Sequence, residues 1–338
     1  MSAQSQAPRP DPGILFSEFF AYQRAIALKT AVSLDLFTHI DDGAVTATSL
    51  AAQTGAAERG VRILSDYLVV AGHLTKLDGC YGLTANSRAL LSKRSPAYMG
   101  SIGDFLTSDQ LLHAFLSLPT AVKSGGALPD PEGALAPDHP MWVAFARSMA
   151  PLMRFVAEPV AEQLSASGPV TNVLDIAAGH GMYGIAVAQR NSQARVTGLD
   201  WANVLAVARE NATRSGVGER YHTITGSAFE ADFGSGYDLV LVPNFCHHFG
   251  RETNVDLFKK IRFALAPGGR VAIVEFVPND DRVTPPAAAA FSLMMLAGTP
   301  AGEAYTFREY QEMLESAGFH EARMTSLDEL PWRLITGV

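Results

Sequence analysis

One strand, one turn and one helix start constrain this chain more than anything else in it. Val173-Leu174-Asp175-Ile176 is an apolar run broken by a single acid, and Gly179, Gly181 and Gly184 follow in G-x-G-x-x-G spacing. A buried strand that runs through a glycine turn into a helix is the opening unit of a parallel α/β sheet. The glycines let the backbone approach a ligand closely, and the helix start offers unpaired N–H donors. Asp200 ends the next apolar stretch, nineteen residues after Gly181, where a carboxylate meets ribose hydroxyls.

Beyond Gly168-Pro169 strands and helices alternate. Candidate strands are Asn172–Ile176, Arg195–Leu199, Tyr221–Ile224, Leu239–Val242 and Val271–Phe276, with Arg333–Val338 as a final one. Helices between them begin near Met182, Trp201 and Thr253. The alternation predicts an α/β fold with a Rossmann-like, doubly wound sheet. The N-terminal part reads differently. Ile14 to Ile40 carries apolar residues at helical spacing with few charges, and Phe16–Phe37 reads as one charge-poor helix. Thr48 is placed to cap a short helix that Gly55 breaks, and a second helix runs from Glu58 to Ala71. Strands Leu74–Leu77 and Tyr81–Leu83 follow, joined by Asp78-Gly79. Helix, helix and hairpin make a winged-helix pattern. Leu90 to Leu164 reads as mostly helical, divided by a Gly- and Pro-rich loop at Ser124–Pro140. The expected organisation is a mainly helical winged-helix domain over 14–95, a helical linker over 96–168 and the sheet domain over 169–338.

The net charge of −8 argues against a broad nucleic-acid surface, and the second winged-helix helix carries a balanced Glu58, Arg59, Arg62 and Asp66. Cys80 and Cys246 are the only cysteines, which gives no disulfide framework and no zinc site. The polar, proline-rich Met1–Gly13 lacks the basic start and apolar core of a signal peptide. No apolar run reaches a membrane span, and Ala287–Ala297 reads as a buried helix. A cytoplasmic protein, without membrane or nucleic-acid partners, is expected.

The glycine spacing alone fits NAD as well as S-adenosylmethionine. Asp175, four residues before Gly179, would repel the phosphates of a dinucleotide but suits a ligand with an ammonium and a sulfonium; the alternative is a carboxylate that caps the glycine turn. His247 and His248 follow the strand Leu239–Val242, at the crevice where such sheets bind ligands. Phenols ionise near pH ~10 and histidine near ~6.5, so a positioned histidine can take a phenol's proton. A metal reading of the pair is disfavoured, because neighbours on a strand point apart. Trp142, Phe145, Met149, Met153 and Phe155 on one helix, and Phe291, Met294 and Met295 on another, are either core or the walls of a pocket for a flat acceptor.

From Val173 onward the chain resembles class I methyltransferases. With its N-terminal module it is similar to the small-molecule O-methyltransferases that include the caffeate and acetylserotonin enzymes and bacterial natural-product tailoring enzymes. The motifs are Asp175–Gly181, Gly198-Leu199-Asp200-Trp201, Gly226-Ser227-Ala228-Phe229, Asn244–Phe249 and Leu265–Arg270. The resemblance implies S-adenosylmethionine as cofactor, S-adenosylhomocysteine as product and no metal. It implies a small aromatic or polyketide-like acceptor methylated on a hydroxyl, and a homodimer formed through the N-terminal module. Gly179 and Gly181 would pass the methionine part, Asp200 would bind both ribose hydroxyls, and Trp201 would lie near the adenine. Ser227, Ala228 and Phe229 would flank the adenine, and Asn244 holds a position that is basic in many relatives. His247 would be the general base and Glu275 the acid that orients it. The chain departs from the family pattern at Ser227, where an acid is usual, and at His248, where Asp is usual. It departs again at Ala304, where a second supporting acid is usual, with Glu303 one residue off. Two rivals remain at this level, an NAD-dependent oxidoreductase and a winged-helix DNA-binding metabolite sensor, and a third possibility keeps the cofactor but alters the chemistry to N- or C-methylation or a non-methylating reaction.

Overall fold

The computed structural model describes residues 11–128, 138–327 and 330–338. Most of the Met1–Gly13 segment and of the Ser124–Pro140 loop lies outside the described residues. The chain divides into two compact units at Thr107/Ser108.

In the first unit the Ile14–Ile40 stretch is three helices: α1 (Pro12–Phe19), α2 (Ala21–Ser33) and α3 (Leu36–Asp41). The expected single helix breaks at Phe20 and again at Asp35, whose φ of 52° is left-handed and cannot continue a helix. Helix α4 (Ala47–Thr54) is capped by Thr46, not Thr48. Thr46 has the extended backbone a cap needs, and Ser49 returns the hydrogen bond to its amide at 3.0 Å. Then come α5 (Glu58–Val70), the hairpin strands β1 (Leu74–Leu77) and β2 (Cys80–Leu83), α6 (Ala85–Leu91) and α7 (Ile102–Leu106). Leu36, Phe37, Leu50, Val61, Leu68, Leu74 and Tyr81 fill the core. On α5, Arg62 pairs with Asp66, which also takes Lys76. Helix α1 buries none of its residues and exposes Ile14, Leu15, Phe16 and Phe19.

The second unit begins with α8 (Asp109–Leu116), α9 (Leu118–Ser124) and the long α10 (Pro140–Ala166). The alternating part follows: β3 (Asn172–Ile176), α11 (Met182–Arg190), β4 (Arg195–Asp200), α12 (Ala202–Arg214) and β5 (Tyr221–Thr225). It continues with β6 (Tyr237–Pro243), α13 (Arg251–Ala264), β7 (Leu265–Phe276), α14 (Pro286–Gly298), α15 (Phe307–Ser316), β8 (Arg323–Ser326) and β9 (Trp332–Gly337). The sheet order is β5-β4-β3-β6-β7-β9-β8. The first five strands are parallel; β9 runs antiparallel to both β7 and β8. The chain winds outward from β3 to β5 and returns on the other side at β6, so the topological switch lies between the ends of β3 and β6.

The central strands β3, β6 and β7 carry buried apolar runs: Leu174, Ile176, Val240, Val242, Val271 and Ile273 are all completely inaccessible, while β4 and the edge strand β5 are only partly buried. Two strands differ from expectation. β8 was not foreseen, because Arg323-Met324-Thr325-Ser326 is a short edge strand with hardly any buried face. β7 begins at Leu265, through Pro267-Gly268-Gly269, where Leu265 pairs with Tyr237 before a register shift. Helix α14 buries only Ala288, Met295 and Ala297; a run of alanines carries no sign of which face turns inward. Among the described residues no helix is long and apolar enough to cross a membrane.

Candidate active site

The end of β3 turns through left-handed conformations at Ala177, Gly179 and Gly181 (φ 51°, 56° and 75°) before α11 begins at Met182. At Gly181 a Cβ would also lie 3.0 Å from the Tyr221 hydroxyl and 3.1 Å from Ala208 Cβ. Gly184 serves a different end: its Cβ would stand 2.6 Å from Val196 Cγ1 and 2.9 Å from Asp175 Oδ2, so glycine lets α11 close on the sheet.

Asp175 is completely buried beneath this turn. Its Oδ2 accepts the Gly184 amide at 3.1 Å, and its Oδ1 has no partner. Burial pushes its pKa up to about 8; the Gly184 amide opposes the rise and the Asp200 charge adds to it. The carboxylate therefore braces the start of α11 from below and gives the floor of the turn a negative or proton-sharing character.

Asp200 ties two turns together. Oδ2 accepts the Gly179 amide at 2.8 Å and Oδ1 the Trp201 amide at 2.7 Å. Burial raises its pKa to about 6 against both amides. Each oxygen keeps a second lone pair, and the carboxylate orientation is fixed by backbone. Trp201 caps α12, and its ring packs with Trp142 and Val143 of α10 against Ala146, Val204 and Val207. Beyond β5, Gly226 donates to the Asp200 carbonyl at 3.0 Å, which brings Ser227, Ala228 and Phe229 to the same edge. Ser227 Oγ accepts the Phe229 amide at 3.2 Å, Ala228 is buried, and the Phe229 ring stacks on Phe245 at 6.0 Å.

Across the switch, Asn244 leaves β6 at a φ of 51°. Its side chain is committed: Nδ2 donates to the Tyr183 hydroxyl at 3.1 Å and Oδ1 accepts from Trp332 Nε1 at 2.8 Å. It joins α11 to β9. The next residues, Cys246–His248, form a single 3₁₀ turn, with His247 buried. His247 Nδ1 lies 2.6 Å from Glu275 Oε2, and its backbone amide donates to Oε1 at 3.3 Å. Glu275 is fully buried near the end of β7. A proton on Nδ1, shared with the carboxylate, leaves Nε2 with a lone pair. The Phe291 ring meets His247 edge-on at 4.8 Å and is itself stacked on Phe276 at 4.1 Å.

The two histidines do not point apart. Their ring centroids are 4.3 Å from each other, because they sit on a 3₁₀ turn and not on an extended strand. Helix α10 reaches both halves of the site: Trp142 packs edge-on to His248 at 5.4 Å, and Phe145 stacks on His180 of the glycine turn at 6.0 Å. Glu303 does not stand in for the missing acid at Ala304. It pairs with Arg282, while Ala304 is buried. Among the described residues no group of three His, Cys, Asp or Glu is arranged to hold a metal ion.

One contributor had no signal in the sequence. A Cβ on Gly302 would lie 2.2 Å from the His247 carbonyl oxygen and 2.9 Å from the His248 carbonyl carbon. The loop after α14 is pressed against the histidine turn, and glycine alone permits it. Two-residue-wide glycine arithmetic cannot reveal a contact between positions 247 and 302.

A family model describing an O-methyltransferase domain matches residues 133–320, and one describing an O-methyltransferase dimerisation domain matches residues 17–93. The 3-hydroxy-5-methyl-1-naphthoate 3-O-methyltransferase of Streptomyces sahachiroi is 27% identical over 299 residues, covering 88% of this chain and 86% of that protein. The S-adenosyl-L-methionine-dependent methyl transferase PigF of Serratia sp. (strain ATCC 39006) is 27% identical over 335 residues, covering 95% and 94%. A solved structure of PigF with SAH has a TM-score of 0.84 to this chain at 25% identity, covering 97% and 99%. The crystal structure of a candidate O-methyltransferase from Nostoc punctiforme PCC 73102 has a TM-score of 0.94 at 48% identity, covering 97% of this chain and 99% of that one.

Gly302→Ala tests the packing of the histidine turn. The added methyl must displace His247, so turnover should fall by up to about a hundredfold, while affinity for S-adenosylhomocysteine, measured by calorimetry, stays within about twofold. Unchanged turnover would show that the loop yields and the turn does not.

Proposed function

This chain belongs to the O-methyltransferase family, and from that premise we propose that it methylates a hydroxyl of a small aromatic or polyketide-like molecule with S-adenosylmethionine as cofactor. The observation that carries the reading is the shared crevice: Asp200 and the glycine turn on β3 and β4, and His247 with Glu275 on β6 and β7, both under α10. The NAD reading falls with family membership.

The residues fit the cofactor. Gly179 and Gly181 leave open backbone, Asp200 holds two free lone pairs in place, and Asp175, raised to about 8 by burial, lies beneath the turn with Oδ1 unpaired, an acid that a nearby cation would draw toward its ionised form. Such a floor favours a ligand that carries an ammonium and a sulfonium. Trp201, Ser227, Ala228 and Phe229 form the adenine side, and Asn244 acts through its hold on Tyr183 and Trp332. When bound, S-adenosylmethionine supplies an electrophilic methyl group. The protein's part is to make the acceptor oxygen a nucleophile. His247 Nε2 takes the hydroxyl proton, and Glu275 fixes the ring and stabilises the imidazolium that forms. Phe291, Phe276 and Trp142 make the surroundings apolar and flat.

We assign residues 14–95 to dimerisation, 96–168 to the helical connection and acceptor pocket, and 169–338 to cofactor binding. The exposed apolar face of α1 supports pairing of two copies through the N-terminal unit. The free thiols Cys80 and Cys246 are consistent with a cytoplasmic enzyme.

Two variants separate binding from chemistry. Asp200→Asn should weaken S-adenosylhomocysteine binding about tenfold or more by calorimetry. Wild-type affinity should drop likewise as pH falls through about 6, because protonation removes the anionic acceptor. His247→Ala should bind normally yet lose roughly 10²–10⁴-fold in turnover. Normal binding by Asp200→Asn, or a wild-type rate in His247→Ala at pH 7, would remove that residue from its role. Light scattering should give twice the chain mass; a clean monomer at micromolar concentration would contradict the dimer.

A further inference from the structure

Two carbonyl groups bracket the histidine pair, one on Cys246 before it and one on Phe249 after it. A single side chain joins them. Asn254, in the first turn of α13, is fully buried. A helical Cβ leans toward the helix N-terminus, so its amide reaches back over Gly250. Nδ2 donates to the Cys246 carbonyl at 2.9 Å and to the Phe249 carbonyl at 3.3 Å. Only the NH₂ end can meet two acceptors, which fixes the orientation of the amide. Its Oδ1 is buried without a partner among the described residues.

Neither carbonyl needs Asn254 to be satisfied. The Cys246 carbonyl already accepts the Phe249 amide at 3.2 Å, and the Phe249 carbonyl already accepts the Tyr305 hydroxyl at 2.6 Å. A leucine would fill similar space without burying an unpaired oxygen, which is unfavourable. What the two amide bonds add is a fixed distance across the turn. A short 3₁₀ turn is weakly held by its own bonds, and here these are two contacts of 3.2 Å, from the His248 amide to Phe245 and from the Phe249 amide to Cys246. Glu275 anchors His247 at Nδ1 and at its backbone amide. Where Nε2 points also depends on where the turn puts the His247 backbone.

Resting on the reading of His247 as the base, we propose that Asn254 is a positioning residue for methyl transfer: it staples the two ends of the histidine turn and so aims His247 Nε2 at the acceptor hydroxyl. It acts through the turn alone. A displacement on the order of 1 Å in a catalytic group can cost about a hundredfold in rate, so a staple that adds little to stability can still matter to turnover.

The test compares full-length wild type, Asn254→Leu, His247→Ala and the double variant, with 2-naphthol as the probe acceptor; Asn254→Ala guards against overpacking by the leucine. Asn254→Leu should keep the wild-type melting temperature, because each carbonyl keeps a partner, and should bind S-adenosylhomocysteine within about twofold of wild type. Its kcat should fall by roughly 10- to 100-fold with little change in KM. In the His247→Ala background the same substitution should have no further effect, since no ring is left to aim. Proton NMR of the S-adenosylhomocysteine complex needs no acceptor. The Nδ1 proton shared with Glu275 gives a downfield resonance, identified by its loss in His247→Ala, and it should shift in Asn254→Leu. An unshifted resonance would overturn the assignment whatever the rates, and so would equal losses of kcat with and without His247. A shifted resonance in an enzyme whose rate does not depend on His247 would uphold the staple and overturn the base reading instead.

Discussion

The Asp200 carboxylate holds two backbone amides at once, Gly179 on the turn after β3 and Trp201 at the start of α12. Neighbouring parallel strands are joined by their ladder only as far as their ends, and the loops beyond are free to part. Here one side chain closes that gap and fixes the spacing between glycine turn and strand-end acid. The cost is desolvation of a carboxylate, visible in the rise of its pKa to about 6, with Asp175 behind it raised to about 8. Two poorly solvated acids so near each other are unfavourable on their own. In the proposed reading, a cationic ligand offsets that cost.

The other half of the crevice is organised by contact where the first is organised by charge. His247 is fixed by Glu275 on one side and by the edge of Phe291 on the other. Phe291 rests on Phe276, which in turn packs on Trp332, and Trp332 holds Asn244. Asn244 then reaches Tyr183 on the helix that begins at the glycine turn. A continuous path of packed side chains thus runs from His247 to α11. Ala304 stands where the family resemblance expects a further acid, so Glu275 is the single carboxylate paired with His247 among the described residues.

The central parallel strands were legible because burial on both faces leaves an uninterrupted apolar run, as in Leu239–Val242. Gly179, Gly181 and Asp200 were legible because their spacing follows from the geometry of one strand–turn–helix unit. β8 was not, since an edge strand needs no apolar face. The role of Gly302 was not, because it arises from the approach of a loop fifty-five residues from His247. The relation of His247 to His248 was misread: the pattern shows that they are adjacent but not that the chain has left the strand and entered a 3₁₀ turn. Asp175 was legible as unusual, while its position beneath the turn depended on how closely Gly184 lets α11 approach.

A crystal structure of the chain with S-adenosylhomocysteine tests the central claim most directly. It should show both ribose hydroxyls on Asp200, with the Gly179 and Trp201 amides still bound to that carboxylate and His247 still paired with Glu275 beside the ligand. A ligand bound away from Asp200, or a glycine turn that releases Asp200 to admit it, would contradict the account.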